Sequence, residues 1–190
     1  MSLVKLNIAR GVTGTLPTDN YVQGGITHFD QWRLTADKTG LSGQQDITAN
    51  LERVDVAPVN TLIGSAMTES SGIFTFPTTG VWYCSCHANF ERASGSANYL
   101  FLHMMATTNN SSYSTIAGGG ETLRDDPSSM GNIFISAMVD CTDTTNVKIK
   151  FKTDVSDAQT MKGATDKNYT TFNFMRVGDT WLILVLIVVL

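Results

Sequence analysis

Apolar and polar residues alternate along most of the chain, in short runs that turn-forming residues separate. The clearest run is "GIFTFPTTGVWYCSCHANFE", which predicts a short strand around residues 73–74, a turn at 77–80 and a strand over 81–91. Further strands are predicted in "THFDQWRLTA", "ANYLFLHMMATT", "NIFISAMVDC", "NVKIKFKTD" and "YTTFNFMRVGD". No segment has a helical period, and strands of this number and spacing predict an all-β sandwich or barrel.

The strand predicted over 81–91 carries large or apolar side chains on both of its faces. Alternation places one set together, namely Trp82, Cys84 and Cys86. The opposite face receives Val81, Tyr83, Ser85 and His87. Two such faces are expected where one packs in a sandwich core and the other meets neighbouring subunits. An ordinary strand of a monomeric sandwich is the alternative.

Aromatic residues in two other strands are also predicted to face the interior. In the final strand Phe172 and Phe174 share one face. In "THFDQWRLTA" the pattern directs Phe29 and, after a slip in the alternation, Trp32 and Leu34 toward the core.

Residues 107–131 are rich in Thr, Asn, Ser and Gly, and predict a long loop region with weak strand character. Its segment "AGGGET" lacks the Lys-Ser/Thr of a phosphate-binding loop and reads as a flexible apex. Tyr113, Asn109 and Asn110 are candidates for surface recognition, including recognition of sugars. The composition equally suits a solvated loop, so both interpretations stay open.

The two ends of the chain differ from the middle. Residues 1–25 read as an extended arm, the strand pattern occupies 26–179, and an apolar tail follows over 180–190. Ten apolar residues cover only half of the roughly 20 that a membrane helix needs, so a membrane anchor is disfavoured. We expect the tail to anchor the protein by burial, either within its own assembly or in a partner. The anchoring candidates are Trp181, Leu182, Ile183, Leu184, Val185, Leu186, Ile187, Val188, Val189 and Leu190.

Composition excludes several classes of function. Charged residues make up 16% of the chain, the net charge is −4 and no run of Lys or Arg occurs, which gives no basis for nucleic-acid binding. The N-terminal segment lacks the apolar core of a secretory signal, and three cysteines do not make a disulfide framework. We therefore expect folding in a reducing cytoplasm with free thiols.

Patterns for catalysis and metal binding are weak. No nucleophile elbow accompanies the three histidines, so we expect no enzymatic activity. Soft metal ligands occur at Cys84, Cys86, His87 and His103. On a strand His87 points away from the two cysteines, which does not suit a zinc site. Calcium stays open at two pairs of acids that equally suit turns, Asp125 with Asp126 and Asp140 with Asp143. No other cofactor is expected.

The segment "SGIFTFPTTGVWYCSCHANF" resembles the pattern G-x-[FY]-x-[FA]-P-x-x-G-x-[YW] of C1q/TNF-like jelly-roll domains. The order of four segments also resembles that in virion proteins of tailed phages, especially marine phages. These segments are "ERVD", "MTESSGIFTFP", "VDCTDTTNVKIKF" and "NYTTFNFMRVGD". The resemblance covers about residues 26–179 and implies a ten-stranded antiparallel jelly roll that forms a tight homotrimer. The residues that we assign to the core or the trimer interface are Phe74, Phe76, Pro77, Gly80, Trp82, Tyr83, Phe172 and Phe174.

Members of this family are not known as enzymes, and serve as recognition heads, fibre tips and capsid ornaments. The resemblance therefore implies a virion protein made in the cytoplasm of a bacterial host. We favour a trimeric capsid decoration or cement protein that binds the major capsid protein or another virion protein. A receptor-binding tip of a tail fibre or spike that recognises a host surface glycan is the alternative. It is disfavoured because no long shaft or heptad pattern precedes the jelly roll.

Overall fold

The computed structural model describes residues 25–180 apart from 60, 61, 94 and 96, so the predictions for the arm and for the tail from Trp181 onward lie outside the described residues. The described part of the chain contains strands and no helix. Within the described residues there are eleven strands, where ten were expected for the jelly roll: β1 (His28–Leu34), β2 (Lys38–Asp46), β3 (Leu51–Arg53), β4 (Thr68–Ser70), β5 (Ile73–Thr75), β6 (Gly80–Arg92), β7 (Ala97–Thr107), β8 (Ser114–Leu123), β9 (Met130–Cys141), β10 (Lys148–Met161) and β11 (Thr171–Gly178).

The strands form two antiparallel layers around one core. The first layer has the order β3-β1-β11-β6-β9. In the second layer β10 pairs with β2, β5 and β7, while β4 pairs with β5 and β8 pairs with β7. The far end of β10 also pairs with β6, where Gln159 lies opposite Arg92, and this joins the two layers at one edge. The prediction of an all-β sandwich is confirmed.

Phe74 lies at the centre of the core and connects the two layers. Its ring centroid lies 4.8 Å from that of Phe174, 5.5 Å from that of Trp32 and 6.0 Å from that of Phe151. Tilted and edge-on contacts of this kind add to the ~1.5–3 kcal/mol that burial of each large apolar side chain contributes. Aromatic residues that the sequence pattern assigns to the interior therefore form the centre of the core.

The predicted interior position of Phe29 is wrong. The register between β1 and β11 runs from His28 to Arg33 without a shift, so Phe29 lies on the outward side and Asp30 faces the core with Trp32. A core carboxylate is costly without partners, and this cost is why the alternation pattern suggested a slip. The structure supplies those partners, because the Arg53 side chain and the Trp32 indole both donate hydrogen bonds to Asp30.

The predicted long loop over 107–131 is also wrong. Residues 114–123 form β8, and the "AGGGET" segment lies within that strand and not at a loop apex. Glycine is unfavourable in strands, which is why the sequence predicted only weak strand character here. On the core side, a Cβ at Gly119 would lie 2.9 Å from the Ile133 side chain, so the absence of a side chain lets β8 pack closely on β9.

Candidate assembly face

Four outward-facing apolar residues form a continuous row across the first layer. Phe29 on β1 lies opposite Met175 on β11, Met175 lies opposite Tyr83 on β6, and Tyr83 lies opposite Met138 on β9. We call Phe29, Met175, Tyr83 and Met138 the apolar row. Cross-strand neighbours of this kind have Cβ atoms about 4.5–5.5 Å apart, so the four side chains present one surface.

A polar row runs beside the apolar row and lies two residues away from it on each strand. Gln31, Asn173, Ser85 and Ser136 occupy successive strands in register. The Gln31 amide donates to Asn173 Oδ1 at 2.6 Å, and the Asn173 amide donates to Ser85 Oγ at 3.3 Å. The hydrogen bonds that join Gln31, Asn173 and Ser85 lower the free-energy cost of removing water from this row when another surface packs against it.

The face regains an apolar side chain in the next row. Phe134 on β9 lies opposite His87 on β6, and the Phe134 side chain is 59% exposed. Met138 in the apolar row is 60% exposed. We call the outward side of β1, β11, β6 and β9 the assembly face. Two such exposed side chains beside half-buried Tyr83 and Met175 give this face an apolar surface of the kind that protein–protein contacts cover.

Most of the predicted core and interface residues occupy the core and not the assembly face. The fully buried ones are Phe74, Phe76, Trp82, Phe172 and Phe174. Tyr83 lies on the assembly face, and Pro77 is half-buried in the turn before β6. Gly80 has a φ of 145°, and a Cβ there would lie 2.4 Å from Arg176 Nε, so this position accepts glycine alone.

Sequence reasoning missed Met138 and Phe134 as members of the assembly face. The available signal was in "NIFISAMVDC", where apolar side chains occupy both faces of the predicted strand. Ile133 and Ile135 enter the core, while Phe134 and Met138 point outward. The same double-faced pattern predicted the outward role of Tyr83 on β6.

The cysteines and histidines do not converge on a metal. Cys84 and Cys86 are buried in the core, His87 lies on the other face of β6, and His103 lies on β7. Burial raises the pKa of the Cys86 thiol well above its ordinary value, and burial together with the neighbouring Cys141 raises that of Cys84. These thiols are therefore protonated and unreactive. Among the described residues no group of three His, Cys, Asp or Glu side chains could hold a metal ion.

Three of the four acids considered for calcium are engaged in turns or in an ion pair. Asp126 Oδ1 accepts a hydrogen bond from the Ser128 N–H at 2.8 Å, and Asp125 pairs with Arg92. Asp143 Oδ1 accepts from the Thr145 N–H at 2.8 Å. Side chains that bond to the backbone two residues onward are the signature of Asx turns.

The predicted recognition residues lie in the short loop between β7 and β8. Asn109 Oδ1 accepts hydrogen bonds from the backbone N–H groups of Ser111 and Ser112, so it shapes the loop from within. Asn110 adopts a positive φ of 55° in the same loop. The Lys150 Nζ lies 4.8 Å from the centroid of the Tyr113 ring, which places Tyr113 against the second layer. Their role in recognition stays a prediction.

Comparison with known proteins supports the fold. No protein-family model and no curated protein matches the sequence. The structure of murine APRIL at pH 5.0 matches with a TM-score of 0.57 at 9% identity, over 78% of this chain and 98% of that chain. The structure of Eiger TNF from S. frugiperda matches with a TM-score of 0.56 at 9% identity, over 84% of this chain and 98% of that chain. No helix long and apolar enough to cross a membrane occurs in the part of the chain described. With these neighbours, the described fold is a TNF-like jelly roll.

Proposed function

We propose that this chain is a non-enzymatic structural protein that assembles as a homotrimer and decorates the head of a tailed bacteriophage. The observation that carries the proposal is the assembly face, where the apolar row crosses four strands and Phe134 and Met138 stand exposed beside it. A monomer leaves these side chains in water, whereas packing against neighbouring subunits removes them from it.

The chemistry of the first layer supports a structural role over a catalytic one. The assembly face offers thioethers, aromatic rings and the amides of Gln31 and Asn173, and these amides hydrogen-bond along the polar row toward Ser85. Its exposed groups are therefore suited to packing. The association with a virion rests on the ordered sequence motifs, with the major capsid protein or another virion protein as the partner.

The alternative function is a receptor-binding tip of a fibre or spike. One observation favours it, namely a strip of exposed aromatic rings on β7, in the layer opposite the assembly face. A surface of this kind is suited to recognition and is not needed for self-association.

Quantitative mass spectrometry of purified virions tests the proposal. A decoration protein should be present in a copy number comparable with the major capsid protein, and antibodies should label the head. A low copy number with label at the tail would replace the decoration role with the fibre role. Absence from particles, with the protein present in infected cells, would overturn both.

A truncated protein tests the anchoring role predicted for the apolar tail. Removing residues 181–190 should leave the jelly roll trimeric and release it from particles, since the remaining chain retains the assembly face. Attachment at the level of the full chain would show that the tail is dispensable. Loss of the trimer would assign the tail to the assembly itself and not to a partner.

A further inference from the structure

Three aromatic side chains form a stacked strip on the outward side of β7. The Tyr99 and Phe101 ring centroids lie 6.0 Å apart with an interplanar angle of 35°. The Phe101 and His103 rings are 5.8 Å apart at 24°. Tyr99 is 42% exposed and Phe101 is 41% exposed. We call Tyr99, Phe101 and His103 the aromatic strip.

Glycines on the neighbouring strand leave the aromatic strip uncovered. Gly120 lies opposite Phe101 and Gly118 lies opposite His103. A Cβ at Gly120 would lie 2.5 Å from Phe101 Cε1, and one at Gly118 would lie 3.1 Å from His103 Nδ1. The rings therefore rest against the bare backbone of β8, and no side chain at these two positions covers them. This gives the glycine run a physical role that does not depend on unusual backbone angles.

The aromatic strip borders a shallow, open cleft. The cleft has a volume of about 420 Å³ and is lined by Asn98, Tyr99, Phe101, Gly120, Glu121 and Thr122. The Asn98 amide and the Thr122 hydroxyl thus stand at the edge of two aromatic rings, while the Glu121 side chain turns toward Gly131 on β9. An apolar platform with a few converging polar groups is the usual composition of a small-ligand site.

A second set of polar groups borders the strip on its other side, along β10. Asp154 lies opposite Phe101, and Lys152 lies opposite His103. The Gln44 amide on β2 donates to Asp154 Oδ2 at 3.1 Å, and Lys152 Nζ donates to the Gln44 oxygen at 2.8 Å. The lysine charge is therefore held next to polar partners.

His103 presents a neutral ring at one end of the strip. Burial lowers its pKa, the nearby Lys152 lowers it further, and Asp154 opposes these two effects. Its Nδ1 atom is buried and has no hydrogen-bond partner in the protein. An unpaired polar atom at this depth is costly unless a bound molecule or water reaches it.

We propose that the aromatic strip and its cleft bind a neutral pyranose unit of a glycan. A pyranose ring presents C–H groups on one face, which are attracted to the negative face of an aromatic ring, and hydroxyl groups around its edge. Asn98 and Thr122 supply both donors and acceptors for those hydroxyls. Asp154 and Lys152 carry opposite charges beside the strip, so no net charge there favours an acidic sugar, and the expected ligands are hexose and N-acetylhexosamine units.

This site goes beyond the decoration role and does not depend on it. The aromatic strip belongs to the second layer, whereas the apolar row belongs to the first, so the two surfaces use different residues. Self-association and glycan binding can therefore be lost separately. A decoration protein that carries such a site would hold the particle at a glycan-coated surface.

The test uses the full chain, probed with an immobilised panel of neutral hexose and N-acetylhexosamine oligosaccharides, and with sialylated and uronic-acid oligosaccharides for comparison. We expect binding to neutral members, followed by a calorimetric Kd for the best of them. Tyr99→Ala and Phe101→Ala should each weaken that Kd by about tenfold or more, as expected for an anchoring aromatic. Tyr169→Ala is the matched control, because Tyr169 is 40% exposed and lies outside the strip. It should leave the Kd unchanged.

A second variant tests the role of the glycines without removing a ring. Gly120→Val places a side chain where the Phe101 ring lies, so the ring must move and binding should fall while the circular dichroism spectrum is retained. Three results would overturn the proposal: no binding to any neutral member by folded protein, exclusive binding to acidic members, or a Kd that Tyr99→Ala and Phe101→Ala leave unchanged. None of these results would affect the assembly face or the presence of the protein in virions.

Discussion

Asp30 shows how a single buried charge is stabilised in this fold. The side chain is 1% exposed, and it accepts hydrogen bonds from the Trp32 indole at 3.1 Å, from Arg53 Nε at 2.8 Å and from the Met67 backbone N–H at 2.8 Å. These donors belong to β1, to β3 and to the segment before β4. A carboxylate with such partners fixes three pieces of chain relative to one another.

Replacing Asp30 should therefore destabilise the fold. In Asp30→Ala, the Trp32 indole and the Met67 N–H lose a buried acceptor, and Arg53 loses its counter-charge. We expect a loss of about 3 kcal/mol in the free energy of unfolding, the lower end of the range for breaking a buried pair, because Arg53 can turn toward water. Urea unfolding followed by fluorescence measures it. Asp166→Ala is the control, since its pair with Lys167 is exposed to solvent and should contribute little to stability. Equal losses in the two variants would contradict the role of Asp30.

At the scale of elements, the hairpin of β4 and β5 depends on the conformation of two residues. Ser70 lies opposite Ile73, and the two residues between them have positive φ angles, 52° at Ser71 and 83° at Gly72. Two successive positive φ angles are typical of a type I′ turn, whose twist matches that of the strands. A Cβ at Gly72 would lie 2.1 Å from the Ile47 carbonyl oxygen, so the turn also packs closely on the end of β2.

Two alanine substitutions distinguish the two reasons why glycine is required, which are a positive φ angle and the lack of space for a Cβ atom. Gly40→Ala should cost about 1 kcal/mol, because Gly40 has a φ of 66° and nothing within 4 Å of the added Cβ. Gly72→Ala adds a collision with backbone to the same conformational cost, and should lose about 2–4 kcal/mol in total. Thermal and urea unfolding of the two variants measure the difference. A Gly72→Ala protein as stable as Gly40→Ala would show that the hairpin can move away from β2 at no cost.

Whether a strand could be predicted from the sequence depended on how regularly apolar and polar side chains alternate in it. β6, β7, β9 and β11 alternate large apolar residues with others, and each was predicted close to its observed bounds. β10 was predicted over 146–154 but continues to Met161, since residues 156–160 carry no large apolar side chain. β2 has Leu41 as its only buried apolar side chain within the strand, and β8 owes its central part to glycines, so neither gave an alternation to detect. Both are held by pairing with β10 and β7, which is a long-range effect.

The candidate sites were harder to predict than the strands, for a similar reason. Tyr83 was recognised because both faces of its own strand are rich in large side chains. The apolar row requires the register of four strands that are distant in sequence, and a shift of one residue would break it. The aromatic strip likewise depends on the pairing of Phe101 with Gly120, which places a ring over a glycine on another strand.

At the scale of the whole molecule, the two layers have outward surfaces of different character. The first layer presents the assembly face, with Met138 and Phe134 exposed. The second presents the aromatic strip among charged and amide groups of β10 and β2. In a closed homotrimer each subunit gives an apolar surface to a neighbour and keeps other surfaces toward solvent. The distribution of side chains thus favours self-association through one layer and recognition through the other.

Light scattering coupled to size exclusion tests that assignment. The full chain should elute with a mass of about three times 20.6 kDa. Phe134→Glu and Met138→Glu each place a charge on the assembly face, which must lose its water when subunits pack, so both variants should dissociate to folded monomers. Phe101→Glu makes the same change on the aromatic strip of the opposite layer and should remain trimeric. A native chain that stays monomeric at micromolar concentration would refute the homotrimer, whereas dissociation by Phe101→Glu alone would move the subunit interface to the second layer.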